Sequence, residues 1–536
     1  MLTGDATAQQ LDNGDSKFES YNVKRSDVGL HDWPQLGGTS LRNATPFGRK
    51  IPTTWDIDTG TNIKWSVELG SQTYGSPVIA NGRVFISTNN GRGYLKRYPS
   101  DVDIGCVLCF EEATGKFLWQ FSAEKLKTGR IHDWPLTGIV SAPCVDGERL
   151  WFVSSRGEVV CLDTLGFHDD QNDGAFIQET VTADDEADIV WKFDMMDRLG
   201  VSQHNMCTCS CTCFGDILFV VTGNGTDESH TNIPAPDAPD FIALDRRTGE
   251  LLWKFEAPGI GSFHGSWSSP SCAVLGGKPQ VLFPAGDGWL YSFDPKGDGN
   301  GGAKLLWEFD CNLKSNRFAQ EGRGSRNPYV TMPVIYEGRV YVATGQDSDY
   351  GEGPGMVWCI DPTKYTDGSD VSLESVKGRT GHILNRKEGQ GFPTTSIMPN
   401  PKSAVIWRFA GKDVSNGGKL KFEDGLYRTV SPPTVSKGRV FLSDFSGLVH
   451  CLDAKTGVRH WRYDVFASAW CTPLVVDGKV YCCDEDGDVA IFKASRTRTL
   501  ISETNMGNAI YSNPAIANGV LYIGTKSRLF AIHSAK

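Results

Sequence analysis

Gly75-Ser-Pro-Val-Ile-Ala-Asn-Gly-Arg-Val-Phe-Ile-Ser-Thr88 decides the fold, because the chain repeats it. A small residue and a proline open an apolar strand, an Asn-Gly turn follows, and a second alternating strand runs out of the turn. The phrase returns as Ser141-Ala-Pro-Cys-Val-Asp-Gly-Glu-Arg-Leu-Trp-Phe-Val-Ser154 and as Met332-Pro-Val-Ile-Tyr-Glu-Gly-Arg-Val-Tyr-Val-Ala343. It recurs from Pro432, from Thr472 and from Asn513, with looser copies over 207–221 (no proline) and 269–283, which makes eight units.

A second phrase follows each unit, clearest in Cys451-Leu-Asp-Ala-Lys-Thr-Gly-Val-Arg-His-Trp461. Copies occupy 109–119 and 243–253, and partial ones end at Trp191, Trp307 and Trp407. One unit reads strand, tight turn, strand, Gly-centred turn, strand, Thr-Gly turn, Trp-bearing strand. Four antiparallel strands in roughly forty residues predict a propeller blade. The expected fold is therefore all-β, a single eight-bladed β-propeller over 31–536. Residues 1–30 are polar and aperiodic and read as a flexible lead-in.

Both ends of the repeat are incomplete. Asn62-Ile-Lys-Trp65 is a Trp strand with no unit before it, and the eighth unit runs out after its third strand. The Trp65 strand is predicted to complete the last blade, which closes the ring and removes a free sheet edge. The seventh unit is atypical, since its outer strand near 499–503 carries no Trp. Insertions at 167–188, 226–239 and 348–426 are expected on the rim or over one face, the last joining the fifth and sixth blades.

The net charge of −11 argues against nucleic acid and against an anionic membrane surface. No apolar run approaches bilayer length. The first ten residues lack the basic start and apolar core of a secretory signal. Taken literally that predicts a cytoplasmic protein, and a trimmed exported chain is equally compatible. Fifteen cysteines are an odd number with no framework spacing, so at least one thiol stays free or pairs with another chain.

With Ala454-Lys-Thr-Gly-Val-Arg-His-Trp461 and its copies in view, the chain resembles the pyrroloquinoline quinone (PQQ) repeat family from Trp33 onward. Its overall pattern looks most like the PQQ-like repeat proteins of planctomycete-type bacteria. The family spans quinoprotein dehydrogenases and the propellers of outer-membrane assembly lipoproteins, which bind no quinone. The resemblance implies a periplasmic or otherwise exported location. For the dehydrogenases it implies PQQ and Ca²⁺ held by Glu, Asn and Asp, an Asp base, a Trp floor and a disulfide between adjacent cysteines. Thr222-Gly-Asn224 is similar to the family's Thr-Gly-Asn and would make Asn224 the metal ligand. The base phrase reads His264-Gly-Ser-Trp267-Ser268, with a serine where the acid belongs. A serine cannot take an alcohol's proton at neutral pH without its own base. The adjacent pair Cys482-Cys483 falls mid-strand, where alternation sends the side chains to opposite faces.

The expectation is a non-catalytic binding or assembly scaffold without a cofactor, its partner a protein or a small planar or anionic ligand. The alternative is a PQQ- and Ca²⁺-dependent dehydrogenase of alcohols or sugars. A third reading, an enzyme on carbohydrate polymers, lacks an evident acid pair.

Propeller geometry places the residues just before each inner strand around the channel mouth. They are Gln72 and Tyr74; His132, with Asp133; His204 and Asn205; His264 and Trp267; Arg323, Arg326 and Asn327; Arg428; Trp470; and Tyr511. Aromatics, imidazoles and three arginines at one mouth favour a planar or anionic ligand. The competing reading is a plug whose members satisfy one another.

Cys207-Thr-Cys-Ser-Cys-Thr-Cys213 puts four sulfurs on one strand face over about 20 Å, too long a row to ligate one ion, so small fillers between blades are expected. Cys106-Val-Leu-Cys109-Phe110 lacks the His that haem attachment needs. Residues 413–424 follow a calcium-loop outline through Asp413, Ser415 and Asp424, although position five is Gly and position twelve Asp.

Overall fold

The computed structural model describes residues 31–534 apart from 320–322, 348–349, 352, 381–390 and 412–420. Eight sheets, each built on four antiparallel strands in chain order, make the ring that the repeat predicts. Blade one runs Val78–Ala80, Arg83–Asn89, Ile104–Glu111 and Phe117–Glu124 from the channel outward. Blade eight is completed from the other end of the chain. Ile63–Glu68 pairs antiparallel with Arg528–Ile532, with Trp65 opposite Ala531 and Val67 opposite Leu529.

The stretch 348–426 is not one loop. It carries the third and fourth strands of blade five, Met356–Ile360 and Val405–Phe409. The chain between them sends Ser369–Asp370 to pair parallel with the outer strand of blade four, covering an edge that would otherwise be open.

The second phrase of the repeat joins one blade to the next. The Trp119 indole donates to Thr164 O of blade two at 3.2 Å, Trp191 to Arg246 O of blade three at 3.2 Å, and Trp253 to Pro295 O of blade four at 2.8 Å. Trp407, Trp461 and Trp65 do the same for blades six, seven and one at 2.9, 2.9 and 3.0 Å. Each indole buries a large apolar face while its one polar atom stays satisfied. Blade four departs from the pattern, since Trp307 donates to Gln280 of its own sheet.

The sequence reading missed what closes one end of the channel. Residues 31–44 sweep around it and bond in turn to the inner strand of every blade. Asn518 N donates to His31 O, and Trp33 and Ile79 exchange both backbone bonds at 2.8 and 2.9 Å. Val145 N reaches Pro34 O, and Thr212 Oγ1 reaches Gln35 Oε1. Cys272, Ile335 and Val475 N–H groups reach Ser40, Leu41 and Ala44 O, and Asn43 brackets Val435 through both side-chain atoms. An inner strand has a bare edge facing the channel, and its buried peptide groups need partners. This segment supplies them. Arg42, fully buried, donates from its guanidinium to the carbonyls of Leu36, Ser210, Cys211 and Pro270 at 2.7–3.0 Å. Gly38 lets the segment fold back, with φ +78° and the Trp33 ring lying where a Cβ would go.

Candidate functional site

With one end closed, the site lies at the other, where each inner strand begins. Two kinds of loop meet there: connections between blades, and turns between second and third strands, of which the insertion 226–239 of blade three is an extended one.

On the side of blades one, seven and eight, the predicted mouth aromatics meet. Tyr74 stacks on Tyr511 with ring centroids 4.9 Å apart, and Trp470 packs edge-on to Tyr511 at 5.4 Å and to Phe445 at 5.2 Å. Tyr74, Trp470 and Tyr511 are half-buried and Phe445 is buried, and Trp470 donates to Glu485 at 2.9 Å. Gln72 lies beside them, its carbonyl accepting from Thr88.

On the opposite side the arginines are held inside the protein. Arg326 donates to both carboxylate oxygens of Asp310 at 3.0 and 3.3 Å, and Lys314 adds a second cation at 3.0 Å. Burial pushes the Asp310 carboxyl up, but Arg326 and Lys314 outweigh it and hold the group below its ordinary value. Arg428 donates to Asn327 Oδ1 and Gly324 O, both at 2.9 Å. Asn327 in turn bonds Asn312 and Pro354 O. Arg323 is exposed on the loop before them.

Between these groups sits an imidazole cluster. His204 and His264 come from the connections leading into blades three and four, and His230 comes from the insertion 226–239. His204 Nε2 and His230 Nε2 are 3.2 Å apart, and the ligand atoms of all three lie within 4.8 Å of one another. His204 Nδ1 is 2.7 Å from Thr226 O, which can only accept, so that nitrogen carries the proton. His230 Nδ1 is 2.9 Å from the Tyr350 hydroxyl. Trp267 packs on His264 at 4.5 Å and donates from its indole to His204 O at 3.0 Å. Burial, with His230 adding to it, lowers His204 to about 4, although the bond to Thr226 opposes the shift. His264 is pushed down by burial and by the other two imidazoles.

His132 stands apart, bonded to Ser202 Oγ at 3.2 Å, while Asp133 is held by Lys125 at 2.6 Å. Asn205 takes a left-handed φ of 59° and knits its backbone to Ile131 and Trp134. The mouth list had His204 and His264 but lacked His230, Asp347 and Tyr350. His230 and Tyr350 lie in the insertions, and Asp347 follows the second strand of blade five, so none stands just before an inner strand.

The groups that a quinone and Ca²⁺ would need are committed elsewhere. The Asn224 side chain accepts from Ser202 N at 3.1 Å and donates to Ala235 O at 3.0 Å. Ser268 is buried where the resemblance expects an acid. Cys482 and Cys483 share the strand Lys479–Cys483 and are both free thiols. These residues do not fit that cofactor. Asp413 and Ser415 lie outside the described residues, and Asp424 is bound by Arg459 and Arg462 at 3.3 and 3.6 Å. Cys209 and Cys211 pack beside Arg42, and Cys211 donates to Trp151 O of the neighbouring blade, as fillers would. Cys106 and Cys109 are buried in Ile104–Glu111 with thiols pushed far up by burial.

A family model described as outer membrane protein assembly factor BamB matches residues 396–536. The outer membrane protein assembly factor BamB of Shewanella oneidensis is 25% identical over 273 residues, 47% of this chain. The match spans 66% of that relative, just under two thirds of its length. Among solved structures, the quinohemoprotein alcohol dehydrogenase of Comamonas testosteroni is 12% identical with a TM-score of 0.56, covering 98% of this chain and 83% of that one. The corresponding enzyme of Pseudomonas putida HK5 is 10% identical with a TM-score of 0.55, covering 94% and 81%. At such identities the two structures share the fold with this chain and nothing more follows.

Proposed function

We propose, from the premise that this chain is a PQQ-like repeat propeller, that it is a non-catalytic scaffold which docks a protein partner on its mouth face, outside the cytoplasm. One observation carries the reading. The polar groups that would bind a small quinone at the mouth are spent on the protein itself: Arg326 on Asp310, Arg428 on Asn327, and Asn224 on Ser202 and Ala235. The mouth face keeps a broad rim of loops instead. Phe466 projects from that rim 86% exposed, at a left-handed φ of 66°, and Leu136 stands on another connection, 53% exposed. Phe466 and Leu136 offer apolar points among polar loops that a protein partner could cover. The assembly role named for the Shewanella relative agrees with this. No described helix is long and apolar enough to cross a membrane.

The competing reading, a quinoprotein dehydrogenase, is separated by titrating purified protein with PQQ and Ca²⁺ while following dye reduction by alcohols and aldoses. The scaffold reading expects neither saturable quinone binding nor reduction. Stoichiometric binding with substrate-dependent reduction, abolished by Asn224→Ala, overturns it.

A further inference from the structure

His264 is the starting point. It is almost completely buried, and its Nε2 has no hydrogen-bond partner. A buried imidazole nitrogen without a partner is costly, and this one faces two more imidazoles. The two nitrogens closest together are His204 Nε2 and His230 Nε2, at 3.2 Å. Bonds of 2.0–2.1 Å from one tetrahedral ion place its ligand nitrogens roughly 3.3 Å apart. The His204–His230 pair already stands at that separation, and His264, whose ligand atom lies within 4.8 Å of the other two, needs to swing by no more than about 1.5 Å to join it.

The surroundings suit an ion equally well. A ligating imidazole normally gives its other ring nitrogen to a carbonyl or another oxygen acceptor, which fixes the tautomer. The His204 Nδ1–H group donates to Thr226 O, leaving the Nε2 lone pair aimed into the cluster. His230 has the Tyr350 oxygen at its Nδ1. A carboxylate is also at hand, since Asp347 Oδ2 is 3.8 Å from His264 Nε2.

We propose that His204, His230 and His264 form a metal centre for one first-row divalent ion of the zinc class, with Asp347 or a water as the fourth ligand. Three imidazoles and a carboxylate suit Zn²⁺, Co²⁺ or Ni²⁺ rather than Ca²⁺, which takes oxygen ligands. The ion pins the insertion 226–239 down onto the connections into blades three and four. It shapes one sector of the mouth face, whether or not a protein docks there.

The test uses the full chain, stripped with a chelator and titrated with Co²⁺ and Zn²⁺. Calorimetry gives the stoichiometry, and the visible spectrum of Co²⁺ gives the geometry. One ion per chain is expected, with the intense bands of four-coordinate Co²⁺ and a rise in melting temperature on adding Zn²⁺. His230 is half-buried on a loop, so His230→Ala keeps the fold. It should weaken binding on the order of a hundred-fold or more and abolish the thermal shift, since even outer partners of metal ligands cost 10–100-fold. His264→Gln should do the same, with circular dichroism confirming that it folds. If the wild type binds no ion, or if His230→Ala binds as tightly as wild type with the same spectrum, the proposal is wrong. Capture by the buried thiols would give that second result.

Discussion

The indole of Trp407 in blade five lies flat over Gly457 in the Thr-Gly turn of blade six, so close that a Cβ on the glycine would sit 2.6 Å from a ring carbon. The same indole donates to Ala454 O in that turn at 2.9 Å. Gly115 against Trp65 and Gly249 against Trp191 repeat the arrangement. The Thr-Gly turn and the Trp are therefore two halves of one inter-blade joint. Gly457 has φ +72°, so Gly457→Ala costs about 1–2 kcal/mol from backbone conformation alone, before the ring is displaced. Trp407→Ala should cost about 3–5 kcal/mol through the lost packing. Chemical denaturation checks both. If both variants unfold at the wild-type midpoint, the joint bears no load.

Arg42 should prove indispensable to the closed end of the channel. Its removal leaves buried carbonyls in three segments without donors, and Arg42→Met is expected to cost about 3–5 kcal/mol. Arg42→Lys should rescue little, because an ammonium cannot reproduce the planar fork that reaches all of them. Hydrogen exchange should show the inner-strand amides of Cys272 and Ile335 losing protection in both variants.

Acidity offers an isosteric test in the turn after Lys479–Cys483. Burial, together with Asp488 and Asp486, pushes the Asp484 carboxyl up to about 6 from an ordinary 3.8, against the backbone N–H bonds that favour the anion. The folded state holds that proton more tightly than the unfolded chain does. The contribution to stability is present at low pH and is lost as pH rises from about 4 through about 6. Asp484→Asn should stabilise the protein at pH 8 by about 1 kcal/mol, allowing for solvent screening, and do nothing at pH 3.5. Melting curves at the two pH values measure this, and an equal shift at both would contradict the assignment.

The two sides of the mouth should respond differently to mutation. Arg326→Ala leaves Asp310 buried with Lys314 alone and should destabilise the fold by about 3–5 kcal/mol. Tyr511→Ala removes a half-buried ring from the aromatic trio and should cost less. Comparing their denaturation midpoints separates a structural arginine from a surface aromatic.

The architecture was legible because a propeller repeats its contacts from blade to blade. The Asn-Gly and Thr-Gly turns, the Trp and the alternating strands recur in register, and Trp65 could be paired with the last blade by what the last blade lacked. Residues 31–44 were not legible. Their bonds to the inner strands are mostly through backbone, and nothing in His31-Asp-Trp-Pro-Gln-Leu shows which edges it will meet. The mouth was legible in part. His204, His264 and the aromatics followed from their place before an inner strand, whereas His230 lies in an insertion without register and Asp347 follows the second strand of blade five, not an inner strand. Position alone also could not show that Arg326 faces Asp310 and Arg428 faces Asn327 rather than a ligand.

The central claim is that the mouth face, not the end closed by residues 31–44, engages a protein. A photo-crosslinking residue at position 466 on the mouth rim, compared with one at exposed Val458 in a turn on the opposite face, tests it directly in the cells that make the protein. The account predicts a discrete crosslinked protein from position 466 and none from 458. Crosslinking from 458 alone, or from neither position, would contradict it.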